Sequence, residues 1–102
     1  MVVVYTVTAS EREAEHLATL ALEARLCACA NLVPGMRSLY RWEGKLERTE
    51  ECILLLKTEA RHYDALETLI RENHSYQTPA IFMLSVDRVW PGYETWLKNE
   101  LK

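Results

Sequence analysis

The sequence predicts one α+β domain, residues 1–102, in which helices pack on one face of a β-sheet. The chain contains only three glycines and three prolines, and they divide it at Pro34-Gly35, Gly44, Pro79 and Pro91-Gly92. Hydrophobic periodicity between these breaks gives the order strand, helix, strand, strand, helix, strand, and then a further helix. This is the order of a ferredoxin-like βαββαβ sandwich, here with an extended β-hairpin and an extra C-terminal helix.

Composition excludes several classes of protein. Hydrophobic residues make up 49% and charged residues 26% of the chain, as in an ordinary globular domain. The longest apolar runs, Cys52–Leu56 and Pro79–Leu84, are far shorter than the ~20 residues of a membrane-spanning helix. The net charge is −3, whereas nucleic-acid-binding domains present a basic face. We therefore expect neither a membrane nor a nucleic-acid partner.

The cysteine count and the N-terminal sequence predict the compartment. The chain has three cysteines, which cannot all pair within one chain, and Met1–Val7 lacks the pattern of a secretory signal. We therefore expect reduced thiols and a cytoplasmic protein.

The first strand and the first helix are predicted from residues 1 to 26. Met1–Val7 is a nearly continuous run of β-forming residues, as in a central strand. Ser10 lies three residues before Glu13, the spacing of a capping box, so a helix is expected over residues 10–26. Its apolar stripe contains Ala14, Leu17, Ala18, Ala21, Leu22 and Ala24.

A long β-hairpin is predicted next. Cys27–Val33 forms a strand that is broken or bulged at Pro34-Gly35, and Met36–Trp42 continues it with a period of two. Glu43-Gly44-Lys45 is the turn, and Leu46–Lys57 is the returning strand.

The last elements follow from helical spacing and capping. Thr58 is expected to cap a second helix ending near Asn73. Ala80–Val89 is the last predicted strand, and Pro91 suits the first turn of a terminal helix. The apolar stripes of these two helices are Tyr63, Leu66, Leu69 and Ile70, and Tyr93, Trp96, Leu97 and Leu101. His16 and His62 are expected on solvent-facing sides of helices.

The hairpin is too long for the domain. Its strands would extend about 40 to 50 Å at ~3.3 Å per residue, whereas a domain of 102 residues is roughly 33 Å across. A projecting tip would expose Leu39, Tyr40, Trp42 and Leu46 together with an unpaired strand edge. We expect the tip to pair with the sheet of a neighbouring subunit. The alternative is that Pro34-Gly35 folds the hairpin back over its own core.

Four ordered motifs carry a family resemblance. Residues 25–35 read R-L-C-A-C-A-N-L-V-P-G, and residues 38–45 read S-L-Y-R-W-E-G-K. Residues 55–58 read L-L-K-T, and residues 93–97 read Y-E-T-W-L. In order and spacing these motifs resemble the CutA family of divalent-cation tolerance proteins along essentially the whole chain.

The resemblance implies a ferredoxin-like protomer in a bacterial cytoplasmic homotrimer, associated with tolerance to copper and other divalent metals. It also implies similarity to the trimers of PII-type signalling proteins, and it implies no enzyme, because no reaction is established for the family. Where the family commonly has H-P-Y-E-x-P-E, residues 74–80 read H-S-Y-Q-T-P-A. Both carboxylates of that motif are absent, so this segment has no glutamate that could hold a metal ion or accept a proton.

Cys27, Cys29 and His74 are the candidate ligands for copper or another divalent ion. Soft thiolates select copper(I) and zinc, and a neutral histidine is a common ligand. The alternatives are that the cysteines pack as small core hydrophobes and that His74 interacts with the dipole at the end of the second helix. Oxidation sensitivity of the cysteines is a third reading. No metal is expected to be required for folding.

Lys57 is a candidate anion-binding residue. It ends an apolar strand directly before the expected helix start, where free N–H groups attract anions. A small anion between subunits is expected there, with Tyr40, Tyr76 and His74 nearby. The alternative is an ion pair with a carboxylate across an interface.

Two functions remain open from the sequence. The leading one, which the family resemblance implies, is a trimer for divalent-cation tolerance that binds copper or other divalent ions. We expect it to be non-enzymatic, since the sequence has no glycine-rich phosphate loop and no nucleophile motif. The alternative is a PII-like trimeric signalling or scaffold module that binds a small anionic metabolite or a protein partner. The tyrosines and tryptophans of the hairpin and the terminal helix are expected to pack in a core or an interface.

Overall fold

A computed structural model describes residues 1–102. Its elements are β1 Val2–Thr8, α1 Glu11–Glu23, β2 Cys29–Trp42, β3 Lys45–Thr58, a 3-10 turn Ala60–His62, α2 Tyr63–Asn73, β4 Ile81–Ser85 and α3 Pro91–Glu100. The strands form one sheet in the order β2-β3-β1-β4, and all neighbouring strands are antiparallel. This confirms the predicted ferredoxin-like α+β fold with an additional helix at the C-terminal end.

Helix α1 begins as the capping box predicts. The backbone N–H of Glu13 donates to Ser10 Oγ at 3.1 Å, and the Ala9 N–H donates to Glu13 Oε1 at 3.1 Å. The helix ends at Glu23, three residues before the predicted end. Arg25 has a φ of +57°, and the N–H of Leu26 donates back to the carbonyl of Ala21, so the chain turns out of the helix there.

The core lies between the two helices α1 and α2 and one face of the sheet. Alternate residues of the central strands point into it, including Val4, Leu54 and Leu56. The helices contribute Leu17 and Leu66 among others, all fully buried. The predicted buried stripes are confirmed at these positions, but the prediction is wrong for Leu22, which is 40% exposed on α1.

Two expectations at the start of the second helix are wrong. Thr58 does not cap a helix: it is the buried last residue of β3, and its hydroxyl donates to the carbonyl of Leu26 at 2.7 Å. The 3-10 turn intervenes, and α2 begins only at Tyr63. His62 lies in that turn and is buried, with Nε2 at 3.0 Å from the carbonyl oxygen of Lys102. Hydrophobic periodicity did not predict the burial of His62, because the 3-10 turn before α2 changes which positions face the core.

The hairpin projects beyond the rest of the sheet. Strands β2 and β3 have 14 residues each, whereas the last β1 pair is Thr8 opposite Cys52. Residues 36–51, which we call the arm, therefore form a two-stranded ribbon beyond β1. The register shifts between Val33 and Met36, as expected from Pro34-Gly35. The molecule measures 45 × 26 × 21 Å, so the hairpin does not fold back over its core.

The second face of the sheet is left largely uncovered. We call it the open face; its residues alternate with those of the core face and include Val3, Tyr5, Val33, Ile53, Leu55, Lys57, Phe82 and Leu84. Phe82 and Leu84 are 42% and 51% exposed, although both are large and apolar. Tyr5 stacks on Phe82 with ring centroids 4.6 Å apart.

Strand β4 is shorter than predicted. It spans Ile81–Ser85 instead of Ala80–Val89 because its partner β1 begins at Val2, opposite Ser85. Helix α3 begins at Pro91 as predicted and buries Leu97 completely. Trp90, by contrast, is 76% exposed and packs in no core of the single chain.

Candidate functional site

His74 anchors the segment that follows α2. Its side chain is fully buried; Nε2 lies 2.8 Å from the carbonyl oxygen of Val7, and the backbone N–H of Tyr76 donates to Nδ1 at 3.0 Å. A carbonyl only accepts and an amide N–H only donates, so the network assigns a neutral ring protonated on Nε2. Metal coordination by His74 would require it to give up one of these bonds.

Glu13 clamps the next residue. Its carboxylate accepts hydrogen bonds from the backbone N–H of Ser75 at 2.7 Å and from the Ser75 hydroxyl at 3.0 Å, and Oε2 lies 3.8 Å from His74 Nδ1. Partial burial opposes ionisation, but the hydrogen bonds from Ser75 and Ala9 outweigh it and lower the pKa of Glu13. The first turn of α1 is thereby joined to the segment after α2.

Tyr76 completes the connection to the base of the arm. Its hydroxyl donates to Glu51 Oε2 at 2.5 Å, and Glu51 is only 8% exposed. Burial and the Glu51 carboxylate raise the pKa of Tyr76. Its ring lies 4.9 Å from the ring of His74.

Two carboxylates of this cluster are not predictable from sequence motifs. Glu13 and Glu51 come from α1 and β3, and they surround a segment whose own motif lacks both family glutamates. In the sequence, Glu13 is recognisable only as the second residue of the capping box of α1, which does not predict its bonds to Ser75. Glu51 directly precedes the apolar run that begins at Cys52, which was the one hint that it is buried.

The three cysteines lie in different surroundings. Cys27 precedes β2, belongs to the core and is 2% exposed, and burial raises its pKa to about 12. Cys52 is 1% exposed, and burial raises its pKa as well. Cys29 is half-buried and lies opposite Lys57 on the open face. Cys29 is therefore the one cysteine of the three that is not buried in the single chain.

The predicted metal ligands are not gathered in one chain. Cys29 pairs with Lys57, whereas the anchor of His74, Val7, pairs with Ile53. These positions are four residues apart along β3, about 13 Å at the usual strand rise. No group of three or more His, Cys, Asp or Glu side chains is placed to hold a metal ion.

The predicted anion-binding residues are also divided. Tyr40 pairs with Glu47, ten residues along β3 from Lys57, or about 33 Å. Tyr40 lies close enough to Tyr76 to contribute to its raised pKa. Lys57 lies at the opposite end of β3, where its Nζ is 5.6 Å from the centroid of the Tyr93 ring. A single chain thus brings Tyr40 and Tyr76 together without Lys57.

The CutA1 divalent ion tolerance protein family matches residues 2–100 of the chain. The chain belongs to this family. The fold described above is thus the fold of a known family.

Individual CutA relatives agree with this assignment. The divalent-cation tolerance protein CutA of Pectobacterium atrosepticum is 45% identical over 87% of this chain and 81% of its own length. The crystal structure of CutA1 from Pyrococcus horikoshii superposes with a TM-score of 0.95 at 39% identity, covering 100% of this chain and 99% of that one. A CutA from Archaeoglobus fulgidus, described as periplasmic, gives a TM-score of 0.96 at 30% identity and covers both chains completely.

This CutA family member has one surface cavity away from the cluster of Glu13, Glu51, His74 and Tyr76, and a second one at the edge of that cluster. One of about 350 Å³ lies on the arm and is lined by Arg37, Ser38, Leu39, Arg48, Thr49 and Glu50. A second of about 270 Å³ lies between α2 and the segment after it and is lined by Thr68, Arg71, Glu72, Tyr76, Gln77 and Pro79. None of the helices has the length and apolar character needed to cross a membrane.

Proposed function

We propose that this chain acts in divalent-cation tolerance as a homotrimer that binds copper or another divalent ion and catalyses no reaction. Membership of the CutA1 divalent ion tolerance family carries the tolerance role. The Pectobacterium relative, named a divalent-cation tolerance protein, supports it at 45% identity.

The open face supports self-association. Large apolar side chains such as Phe82 and Leu84 remain about half exposed there, and the arm exposes Leu39 and Leu46 at 63% each. Strands β2 and β4 leave both edges of the sheet unpaired. Exposed apolar area next to open strand edges is unfavourable in a monomer. Three copies that turn their open faces inward and pair through their arms would cover both.

Light scattering tests the trimer. At micromolar concentration we expect three times the protomer mass of 11.9 kDa, and we expect Leu84→Glu on the open face to lower it. Leu22→Glu is the matched control, because Leu22 is 40% exposed on α1, away from this face. A wild-type mass of one protomer would contradict the proposal.

Metal binding is tested by equilibrium dialysis with copper and zinc ions under reducing conditions. The variants are Cys27→Ser, Cys29→Ser and His74→Ala, with His16→Ala on the exposed side of α1 as the control. We expect the largest loss for Cys29→Ser, since Cys29 is the one cysteine that is not buried and lies on the open face, which other copies cover in the proposed trimer. Stoichiometric binding that all three variants retain would remove these residues as ligands.

A PII-like trimeric signalling or scaffold module is the second candidate. It is favoured by one observation: Lys57 forms no ion pair within its own chain. A thermal-shift screen with anionic metabolites tests it, with stabilisation that Lys57→Ala abolishes as the expected result. A protein unresponsive to every anion would count against a small-molecule ligand at Lys57.

We place the protein in the cytoplasm. Three free cysteines, two of them buried, suit a reducing compartment. Because the Archaeoglobus relative is described as periplasmic, cell fractionation is the deciding measurement, and recovery outside the cytoplasm would overturn this placement.

A further inference from the structure

Lys57 is a cation without a counter-charge. It lies on the open face in a row with Val3 and Cys29, its partners across the neighbouring strands. The ion pairs of the chain join other residues: Arg61 with Glu59, His74 with Glu13, and Lys98 with Glu94. No carboxylate lies within 4.0 Å of Lys57 Nζ.

Tyr93 supplies a second unsatisfied group beside this ammonium. Its ring centroid is 5.6 Å from Lys57 Nζ, and its hydroxyl is buried with no hydrogen-bond partner. Trp96 stacks on the ring with centroids 5.7 Å apart and an interplanar angle of 26°, which holds its orientation. A buried hydroxyl without a partner costs about 1–3 kcal/mol, so this donor favours any acceptor that reaches it.

The side chains around Lys57 indicate which kind of hydrogen-bond acceptor fits beside Lys57 and Tyr93. The side chains beside Lys57 across the strands are a valine and a thiol, and neither neutralises an ammonium. When other copies cover the open face, the ammonium loses water, and an unpaired charge in such a place is strongly unfavourable. The Tyr93 ring that lies under Nζ carries the unpartnered hydroxyl, and an anion with several acceptor oxygens is the kind of ligand that would suit both groups.

We propose that Lys57 Nζ and Tyr93 Oη bind the oxyanion of a small carboxylate or phosphate at the open face. This inference rests on the proposed trimer, since covering the face is what excludes water from the site. The grouping expected from sequence joined Tyr40 and Tyr76 to Lys57 between subunits, whereas within one chain Tyr40 lies about 33 Å from Lys57 along β3. The hydroxyl donor is Tyr93 instead.

Isothermal titration with inorganic phosphate and with succinate, at fixed ionic strength, tests the site. The wild type is expected to bind at least one of the two anions. Lys57→Met should weaken that binding at least tenfold, and Lys57→Arg should retain most of it. Tyr93→Phe should weaken it about fivefold to tenfold, the value of one hydrogen bond. Lys98→Met is the control, since Lys98 lies on α3 with its own partner Glu94.

The oligomeric mass of the same samples separates the two proposals. A wild-type trimer that binds neither anion overturns the anion site and leaves the trimer standing, whereas a monomer that binds neither removes both. Unchanged binding by Lys57→Met also overturns the site. If no anion binds and Lys57→Met dissociates the trimer, Lys57 pairs with a carboxylate of a second copy, and the proposal is wrong.

Discussion

Nε2 of His74 and the carbonyl oxygen of Val7 are joined by a hydrogen bond of 2.8 Å that spans 67 positions of sequence. It fixes the chain leaving α2 against the end of β1. From there the backbone N–H of Tyr76 reaches Nδ1 of the same ring, and the Tyr76 hydroxyl reaches Glu51. One buried imidazole thus connects a helix end, the central strand and the base of the arm.

Replacing this imidazole should destabilise the protein even if no metal is ever bound. His74→Ala leaves the Val7 carbonyl and the Tyr76 N–H without partners, so we expect a loss of about 1–3 kcal/mol in the free energy of unfolding. Urea denaturation at one fixed protomer concentration measures it, because stability depends on concentration in an oligomer. His16→Ala should stay within about 0.5 kcal/mol. Equal stability of both variants would show that the contact with Val7 contributes nothing.

Glu13 should make the protein sensitive to acid. Its pKa is lower in the folded than in the unfolded chain, so its contribution to stability is complete above the ordinary carboxyl pKa of about 4.3. It is lost as the pH falls through that value and then through the lowered folded pKa. Glu13→Gln should therefore flatten the acid limb of stability against pH. Glu15 is exposed on the same helix, so Glu15→Gln should leave the loss of stability in acid unchanged. The same pH dependence of stability in wild type, Glu13→Gln and Glu15→Gln would contradict a stabilising role for ionised Glu13.

Tyr76 should affect stability through its bond to a charged group. Tyr76→Phe leaves the buried Glu51 carboxylate without this donor, at an expected cost of about 1.5–3 kcal/mol in the free energy of unfolding. A double-mutant cycle with Glu51→Gln isolates the pair, and a coupling near zero would rule the bond out.

The same bond should weaken in alkali. The folded pKa of Tyr76 is raised, so its contribution is complete below the unfolded tyrosine pKa of about 10 and is lost as the pH rises through it towards the folded value. The stability difference between wild type and Tyr76→Phe should therefore shrink above about pH 10. A difference that stays constant or grows in alkali would contradict this.

The three thiols should react in a fixed order. Burial raises the pKa of Cys27 to about 12 and also raises that of Cys52, whereas Cys29 is half-buried. Since the thiolate is the reactive form, brief treatment with iodoacetamide of the folded Leu84→Glu variant, whose open face is expected to be free of other copies, should alkylate Cys29 first. Peptide mass spectrometry identifies the site, and unfolding in urea should equalise all three. Early modification of Cys27 would show that its core position is wrong.

Local signals predicted much of this fold. The spacing of Ser10 and Glu13 set the start of α1, and Pro34-Gly35 predicted the bulge of the hairpin, because each depends only on neighbouring residues. The end of β4 was not predictable in this way. It depends on where β1 begins, 83 residues away, and the pattern of Val86–Val89 alone still suits a strand.

The candidate sites depended still more on the tertiary structure. Tyr76 meets Glu51, and Lys57 meets Tyr93, across 25 and 36 positions of sequence. Hydrophobic periodicity says which face of a strand a residue occupies, but not which distant loop or helix returns to it. Within one chain Lys57 and Tyr40 lie far apart for a related reason: ten residues of β3 separate Lys57 from Glu47, the partner of Tyr40, and the two motifs do not reveal this distance.

The bulge between Val33 and Met36 also sets the orientation of everything beyond it. Two residues, Pro34 and Gly35, stand against the single residue Cys52, so Met36 faces the same side as Glu51. With uniform pairing, Gly35 would take that place, and every later side chain of β2 would change sides. The side of the arm that carries Tyr40 and Trp42 would then carry Arg37, Leu39 and Arg41, so a single extra backbone position determines whether that side is aromatic or cationic.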